Sequence, residues 1–333
     1  MSNKSLIGKK VLMFAPKYFG YGEAIAEELR TFGCEVDLFD ERPSNTAFAK
    51  IMLRYNIKLY RRKIKRYYMS VMNNGKDNDY VFVIKSEALN KEILNAYKEH
   101  YKNAEFILYL WDALDNVPNG KQKIEFYDKI FTFDPVDADK FGLKLRPLFF
   151  RKEYAKQPEI KNDYKYEAAF IGTAHTERPY IVNKIKEQCK KMGKECYSYF
   201  FLSHIIVFLY NKILNPVYKN IKKKDIHFKP LSVEEVNEIY SHSKCIIDAE
   251  HIAQHGLTMR TIEMVGMQKK LITTNKNIKN YDFYNENNIC IIDRNNPVVS
   301  KDFLDKEYLP VDESVLKKYS LNYFVQEIFG IGE

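Results

Sequence analysis

A chain of 333 residues is long enough to form two domains that each bury their own core. Its composition, 45% hydrophobic and 29% charged residues, excludes wholesale disorder, and no apolar stretch is long enough to span a bilayer. The formal net charge of +9 favours a polyanionic partner, which leaves a nucleotide diphosphate, an anionic membrane face, an acidic polymer and a nucleic acid as candidates.

The first half of the chain alternates short apolar runs with helical patterns. Strands are predicted at Val11–Phe14, Val36–Phe39, Tyr80–Ile84, Phe106–Leu110 and Ile130–Phe133. Between the first two strands, residues 22–32 place Ile25, Leu29 and Phe32 on one helical face, and Gly33 follows as a stop. Continuous apolar strands separated by helices predict a parallel sheet covered on both faces.

The alternation is interrupted at residues 151–164, which are charged and lack periodicity, and it then restarts. The later strands are predicted at Glu167–Ile171, Ile226–Phe228, Cys245–Asp248 and Lys270–Thr273, with helices over Tyr180–Met192, Val233–Tyr240 and from about Met259. We therefore predict an α/β protein with a Rossmann-like domain at 1–150, a linker at 151–164, a second Rossmann-like domain at 165–320 and a C-terminal helix in 321–333 packing back on the first domain. Such domains are expected to face each other across a cleft and to bind ligands at the carboxyl ends of their strands.

The cysteines and the N-terminus bear on location. The five cysteines are scattered and form no C-x-x-C pair, so neither a disulfide framework nor a zinc site is indicated. They are typical of buried thiols in a reducing compartment. The first five residues precede a strand-like run instead of the apolar region of a signal peptide. We expect a cytoplasmic protein.

The strongest chemical signal lies in residues 248–275, where a glycine-bearing loop joins a strand to a helix. Gly256 permits close approach of the backbone to a ligand, and the helix that follows presents N–H groups and the positive end of its dipole to an anion. Thr258 and Arg260 add a hydroxyl and a guanidinium, which together suit a diphosphate. Glu263 is placed to accept from two adjacent hydroxyls, as in a ribose. The alternative is a capped amphipathic helix with Arg260 and Glu263 as a surface pair.

This segment resembles the donor-binding signature of GT-B glycosyltransferases, especially bacterial polysaccharide, lipopolysaccharide and CgeB-like spore-maturation enzymes. In those proteins a G-L-T-x-R-T-x-E loop and helix precede a K-x-L-I-T-T-N strand, as residues 256–263 and 269–275 do here. The resemblance implies a GT-B fold and transfer of a sugar from a nucleotide-sugar donor to a polysaccharide or lipid-linked glycan. It assigns the ribose to Glu263. His255 stands where many retaining members have a first glutamate, so the stereochemical outcome stays open.

The same resemblance assigns the donor diphosphate to Gly256, Thr258 and Arg260 and adds a second glycine loop, which ends the strand Glu167–Ile171. Gly172, Thr173 and Arg178 of that loop are assigned to the donor phosphates, and His175 is a candidate donor to the leaving phosphate oxygen. The alternative for His175 is a structural role in the loop. We expect neither a metal nor a cofactor beyond the nucleotide-sugar co-substrate.

The strand end near residue 228 is where GT-B enzymes seat the nucleotide base. Phe228 and Pro230 are placed to pack on it. Ser232, which precedes Glu234 and Glu235, is explained equally well as a helix cap.

The first domain supplies the predicted acceptor-side residues, which are Tyr18, Gly20, Arg42 and Trp111. The loop around Gly20 lacks the full G-x-G-x-x-G spacing, so a dinucleotide-binding fingerprint is not supported. A tryptophan beside a carboxylate at a strand end suits sugar stacking next to a general base. Asp112 is the first candidate for the base that takes the acceptor hydroxyl proton, and Asp115 is the second. The alternatives are a helix N-cap and a rim aromatic.

Two amphipathic stretches, residues 48–72 and 197–224, combine apolar and aromatic residues with lysine and arginine. Such stretches match helices that lie in an anionic membrane interface, which would attach the protein peripherally to the inner face of the cell membrane. The alternative is that these helices pack on their own sheets with solvated basic edges.

The glycosyltransferase hypothesis has two rivals. A nucleic-acid or polyanion-binding module would use the basic, tyrosine-rich surface, but the chain carries no recognised RNA- or DNA-binding motif, so we expect no nucleic-acid partner. A catalytically inactive glycan-binding scaffold with a GT-B-like fold is the second rival. Turnover of a nucleotide sugar separates it from the enzyme.

Overall fold

The computed structural model of the chain describes residues 5–17, 19–46, 49, 52, 58–73, 77–155, 164–174, 177–214, 218, 221, 223–251 and 254–331. The chain divides into two compact units, one made of residues 1–147 and 321–333 and the other of residues 148–320. The division falls three residues before the end of the predicted first domain, and the segment predicted as a linker is grouped with the second unit.

The described strands of the first unit form one parallel sheet. They are β1 (Lys10–Ala15), β2 (Glu35–Asp40), β3 (Tyr80–Ile84), β4 (Glu105–Leu110), β5 (Lys129–Thr132) and β6 (Lys144–Leu145), in the spatial order β2-β1-β3-β4-β5-β6. Its helices include α1 (Tyr21–Thr31), α2 (Lys58–Asn73), α3 (Lys91–His100), α4 (Gly120–Lys123) and α5 (Pro135–Phe141). Because the strand order reverses between β1 and β3, the carboxyl ends of these two strands form the topological switch point.

The apolar face of α2 is buried in the core of the first unit. Tyr60, Ile64, Tyr68 and Val71 recur at helical spacing and are each less than 8% exposed. For the described part of the basic stretch 48–72, the structure therefore has the helix packed on its own sheet, with its charged residues at the surface.

The second unit is built on another parallel sheet. Its described strands are β7 (Tyr166–Thr173), β8 (Cys196–Phe201), β9 (Ile226–His227), β10 (Ser243–Asp248), β11 (Lys270–Thr273) and β12 (Ile289–Ile291), in the order β12-β11-β10-β7-β8-β9. The helices include α6 (Arg178–Lys191), α7 (Ile205–Leu214), α8 (Val233–Ser241), α9 (Met259–Gly266), α10 (Lys301–Asp305) and α11 (Glu313–Lys318). Numbered within the unit this is the 3-2-1-4-5-6 Rossmann order, whose switch point lies between β7 and β10.

Gly266 is the last residue of α9 and a close-packing position. A Cβ atom added there would lie 2.5 Å from Cγ of Phe150, whose side chain is buried. Only glycine therefore lets the end of α9 approach the Phe150 ring.

The C-terminal helix α12 (Leu321–Phe329) belongs to the first unit. The Phe329 ring meets Tyr80 and Phe82 of β3 edge-on, with centroids 5.1 Å and 5.5 Å apart. The Asn322 side chain donates to the Glu28 carboxylate of α1 over 2.6 Å. The helix thus covers the sheet of the first unit next to α1.

Candidate functional site

The carboxyl end of β10 carries a buried carboxylate that holds the first turn of α9. Asp248 is 1% exposed, and its Oδ1 accepts a hydrogen bond from Nη1 of Arg260 over 2.9 Å. Its Oδ2 accepts from the hydroxyls of Thr258 and Thr261 over 2.5 Å and 2.7 Å. Asp248 therefore has three donors, all from the beginning of α9 or its cap, and it fixes the helix N-terminus at the switch point.

Arg260 links α9 to neighbouring elements of the second unit through hydrogen bonds. Its Nη2 donates to the carbonyl of Ile171 in β7, and its Nε donates to the Tyr240 hydroxyl over 3.2 Å. Gly172 makes room for the guanidinium, since a Cβ atom there would lie 2.8 Å from Arg260 Nη2. The alternative of an exposed pair with Glu263 is wrong, because the Arg260 side chain is only 16% exposed and Glu263 is buried. Arg260 already meets protein acceptors on three of its nitrogens.

Arg178 lies at the start of α6 and reaches across the same strand ends. Its Nε donates to the carbonyl of Ala249 over 2.6 Å, and its Nη1 donates to the hydroxyl of Thr173 over 3.1 Å. Within the described part of the chain, Nη2 has no hydrogen-bond acceptor. Burial lowers the pKa of Arg178 to about 10, with the nearby Arg260 charge acting in the same direction, so the group remains a cation at neutral pH.

A third arginine and a second carboxylate, both missed from the sequence, complete the cluster. Arg294 pairs with the Glu250 carboxylate through Nη2, which also donates to the Glu250 carbonyl over 3.0 Å. The other carboxylate oxygen accepts from Thr274 over 2.6 Å. Burial raises the pKa of Glu250, against the hydrogen bond from Thr274 and the charge of Arg294. The only sequence signal was position, because Glu250 follows β10 and Arg294 follows β12.

The glycine loop before α9 is held by side-chain amides. Gly256 is buried, and its carbonyl accepts from Gln254 over 3.1 Å and from Asn275 over 3.3 Å. Thr258 caps α9 by accepting from the backbone N–H of Thr261 over 3.2 Å. The loop is therefore tied to the residues that follow β11.

Glu263 lies within α9 and is 6% exposed. The pKa of the Tyr154 phenol is raised by burial and by the charge of Glu263, and that of Tyr240 is raised chiefly by burial. The carboxylate predicted to hold a ribose therefore lies among tyrosines, close to Arg260.

The residues predicted to pack on a base lie away from this cluster. Phe228 and Pro230 follow β9 and are exposed. Since β8 separates β9 from β7, the two strands are about 10 Å apart. The helix-cap interpretation of Ser232 is confirmed, because its hydroxyl accepts from Glu235 N while its own N–H donates to the Glu235 carboxylate.

Two predicted site residues cannot be located. His175, the candidate donor to the leaving group, and Tyr18, an acceptor-side candidate, lie outside the described residues.

In the first unit Asp112 follows β4 and is 39% exposed. Its Oδ2 lies 3.2 Å from Nζ of Lys85, and its Oδ1 accepts from the Asn116 side chain over 3.1 Å. Lys85 also lies 3.3 Å from the Glu87 carboxylate. Asp112 is thus an accessible carboxylate that pairs with one lysine.

Asp115, the second candidate base, lies in a short 3-10 turn over Leu114–Asn116 and is 61% exposed. It pairs with Lys121 over 3.0 Å and lies 3.8 Å from Lys140. The hydrogen bond from Lys121 lowers the pKa of its carboxyl group. Asp115 therefore belongs to a solvated surface pair.

Trp111 packs beside the first helix. Its ring meets Tyr21 at 5.5 Å and 63°, and Tyr109 at 6.4 Å and 77°. Gly20, the N-cap residue of α1, has a φ of 74°, a conformation that favours glycine. Trp111 is half-buried, so part of the indole stays exposed beside Asp112.

Arg42 belongs to a buried network that the sequence did not reveal. It pairs with Glu87 through Nη2, and its Nε lies 3.9 Å from Oε2 of Glu41, which is 0% exposed. Arg42 itself is 6% exposed. The residue predicted to touch an acceptor therefore lies mainly beneath the surface, where it supports the loop after β3.

That loop is held in an unusual conformation. Lys85 and Ser86 have φ angles of 79° and 56°, which are uncommon for residues other than glycine. Glu41 accepts from the backbone N–H of Ala88 over 2.5 Å, and Lys123 donates to the carbonyl of Ser86 over 2.6 Å. Burial raises the pKa of Glu41 to about 7 and lowers that of Lys123 to about 8. Glu41 and Lys123, both buried, thus hold the loop that places Lys85 next to Asp112.

The sequence contains two D-x-D spacings, at residues 77–79 and 137–139. Asp79 accepts from Lys9 and from the N–H of Lys10, at the amino ends of the strands, and Asp137 accepts from the N–H of Leu114. Among the residues that the structure describes, no group of three or more His, Cys, Asp or Glu side chains is arranged to hold a metal ion.

Comparisons with known proteins bear on the fold. No protein-family model matches the chain, and no curated protein sequence matches it. HepE from Anabaena, in complex with UDP and glucose, superposes with a TM-score of 0.63 at 8% identity, covering 97% of this chain and 98% of HepE. Sucrose-phosphate synthase from Thermosynechococcus elongatus gives 0.62 at 8% identity, with 97% and 98% coverage.

An α-glucosyltransferase in complex with UDP and a 13-mer DNA gives a TM-score of 0.61 at 14% identity, covering 96% of this chain and 95% of that one. Similarity at such low identity over nearly the full length establishes the architecture. The chain has the two-domain Rossmann-like GT-B fold, and the predicted fold class is confirmed. The more specific resemblance of residues 248–275 to CgeB-like and lipopolysaccharide enzymes stays a prediction.

Proposed function

We propose that this protein is a glycosyltransferase that moves a sugar from a nucleotide-sugar donor to a polysaccharide or lipid-linked glycan of the cell envelope. The observation that carries the proposal is the arginine cluster at the switch point of the second sheet. Arg178 is fixed there by two hydrogen bonds, while the described residues provide no acceptor for its Nη2. The solved structures of HepE and of the α-glucosyltransferase, which share the fold, are both complexes with UDP.

The diphosphate of the donor is assigned to Arg178 and Arg294, with Arg260 as the residue that positions the strand ends. Rossmann-type sheets bind phosphates at the switch point, where the helix N-terminus of α9 adds a positive dipole. The three arginines bring positive charge to the switch point, where Arg260 pairs with Asp248 and Arg294 pairs with Glu250 and lies 3.9 Å from the Glu177 carboxylate. That charge favours a diphosphate and stabilises it further as it becomes a leaving group.

Glu263 is assigned to the donor ribose, as the resemblance implies. Its buried position in α9 leaves few water molecules to compete with a sugar hydroxyl for the carboxylate. We assign Gly256 to the position where the protein backbone comes close to the donor, because its loop is held between β10 and α9.

In the proposed reaction Asp112 takes the proton of an acceptor hydroxyl. The acceptor oxygen forms a bond to the anomeric carbon while the bond from that carbon to the diphosphate oxygen breaks, and the electron pair leaves with the diphosphate. Lys85 pairs with Asp112 over 3.2 Å and holds the carboxylate in place. Trp111, half-buried beside Asp112, offers an aromatic edge to the sugar ring.

A polyanionic acceptor is the second candidate. A cavity of about 400 Å³ in the first unit is lined by Arg61, Arg62, Lys65 and Lys91 together with Asn90, Glu92 and Asn119. The solved structure of the α-glucosyltransferase of similar fold is a complex with a 13-mer DNA as well as UDP. Salt-dependent binding of a DNA duplex, with sugar transfer onto it, would favour this acceptor over a neutral glycan.

The first experiment is a thermal-shift screen against UDP-glucose, GDP-mannose, CMP-N-acetylneuraminic acid and dTDP-glucose. A ligand that binds only the folded state raises its Tm, so one nucleotide class is expected to stabilise the protein. Release of the free nucleotide on addition of a glycan acceptor then distinguishes an enzyme from an inactive scaffold. If no nucleotide sugar or nucleotide raises the Tm, the proposed function is wrong.

A further inference from the structure

Helix α7 of the second unit directs large apolar side chains to solvent. The exposed fraction is 79% for Ile213, 67% for Ile206, 63% for Tyr210, 61% for Leu214 and 54% for Leu209. Their spacing of three and four residues places them on one side of the helix. They form a contiguous apolar surface of the kind that marks an interaction site.

The opposite side of α7 is firmly packed. Phe208 is 4% exposed, belongs to the core of the second unit and lies 6.4 Å from the ring of Tyr218. Lys212 donates to the carbonyls of Tyr218 and Ile221 over 2.9 Å and 2.8 Å. The outward direction of the apolar side is therefore set by anchoring contacts on the inward side.

The charge around α7 indicates what covers this surface. From residue 202 to residue 224 the sequence contains five lysines and neither aspartate nor glutamate. Lys223 and Lys224 lie exposed in a short 3-10 turn that follows the helix. The turn ends with Asp225, so the segment is predominantly cationic. An apolar surface beside such a segment is complementary to a membrane of anionic lipids, where acyl chains meet phosphate headgroups.

We propose that α7 docks the protein on an anionic lipid bilayer, with its exposed apolar side chains inserted at the level of the headgroups. Tyr210 suits this position because a phenol has an apolar ring and a polar tip. No helix among the described residues is both long and apolar enough to cross a membrane, so α7 lies along the surface. The proposal does not depend on the reaction that the protein catalyses.

The experiment is flotation of the full-length protein with vesicles of phosphatidylglycerol and phosphatidylcholine, and with vesicles of phosphatidylcholine alone. The wild type is expected to float with the anionic vesicles and to be released by salt. The triple variant Ile206→Ser, Leu209→Ser, Ile213→Ser is expected to bind at least about tenfold more weakly, because each substitution removes apolar area from the interface. Lys223→Gln with Lys224→Gln is expected to weaken binding by about tenfold or more at low salt.

The matched control is the triple variant Ile7→Ser, Val298→Ser, Leu309→Ser, which removes exposed apolar side chains at scattered positions. It is expected to float like the wild type. Equal loss in both triple variants, or no flotation of the wild type, overturns the proposal. So does light scattering that shows a dimer of the wild type abolished by the α7 substitutions, because the surface then joins two copies. Donor binding by calorimetry in the α7 variant reports separately on the proposed function.

Discussion

The guanidinium of Arg260 and the carboxylate of Asp248 form a buried ion pair, with 2.9 Å between Nη1 and Oδ1. Asp248 also accepts from Thr258 and Thr261, so a single carboxylate satisfies the cap and the first turn of α9. The pair therefore supports the loop that carries Gly256, and we expect it to contribute to the stability of the folded protein.

Asp248→Ala leaves the buried Arg260 charge without its partner and is expected to lower the free energy of unfolding by about 3–5 kcal/mol. Urea unfolding followed by circular dichroism measures it. Asp115→Ala is the matched control, because its pair with Lys121 is exposed to solvent and is expected to contribute little to stability. Equal losses in the two variants would show that the Asp248 pair contributes no more than a surface pair.

Gly266→Ala places a methyl group against the Phe150 ring and is expected to cost about 1–3 kcal/mol of stability by overpacking. Phe150→Leu in the same chain is expected to restore part of that loss, because a smaller side chain vacates the space. A double-mutant cycle of urea unfolding free energies measures the coupling. If the changes in unfolding free energy of the two substitutions simply add, the contact between residue 266 and the Phe150 ring is not the cause of the loss.

Glu41 gives the stability of the protein a pH dependence of known sign. Its folded-state pKa of about 7 lies above the ordinary value of 4.5. Between these two pH values the folded protein therefore holds a proton on Glu41 that the unfolded chain has released. The stability contribution is present below pH 4.5 and is lost as the pH rises to about 7, by up to about 3 kcal/mol.

Glu41→Gln removes that titration. The urea midpoint of each protein is measured at several pH values between 4.5 and 7.5. It is expected to fall less steeply with rising pH in the variant than in the wild type. Parallel pH profiles for the two proteins would mean that Glu41 ionises in the folded state as it does in the unfolded chain.

Asp112→Asn is expected to lower kcat by about 10²–10⁴-fold, with little change in donor affinity, because it removes the base and leaves the second unit intact. Asp115→Asn is the matched control and is expected to retain activity, since Asp115 is held in a surface pair. Steady-state kinetics with the stabilising nucleotide sugar and a glycan acceptor provide the readout. Comparable kcat values for Asp112→Asn and the wild type would remove Asp112 from the mechanism.

Elements with strong local patterns were predictable from the sequence. The runs at β3 and β4 are apolar throughout because both faces of a central parallel strand are covered, and both were predicted at their positions. The strand β8 covers Cys196–Phe201, and all but its first residue was wrongly included in the amphipathic stretch 197–224. Only Leu202, Ser203 and His204 separate its aromatic residues from the apolar residues of α7, so the break in hydropathy between strand and helix is just two polar residues long.

The candidate site was predictable only in part, because many of its contacts use backbone carbonyls or distant partners. The residues of the loop before α9 could be identified from their spacing. The carbonyls of Ile171 and Ala249, which hold Arg260 and Arg178, carry no signal in side-chain identity. The pairing of Arg294 with Glu250 joins positions 44 residues apart, which only the fold brings together.

The central claim is that the second unit holds a donor diphosphate through Arg178, and calorimetric titration of the stabilising nucleotide sugar tests it directly. Arg178→Ala is expected to weaken binding by about 10-fold to 150-fold, as expected for loss of a charge-assisted hydrogen bond of 1.5–3 kcal/mol, while the protein stays folded. Arg62→Ala, an exposed arginine of the first unit, is the control and is expected to bind the donor like the wild type. Unchanged donor affinity in a folded Arg178→Ala protein would contradict the account.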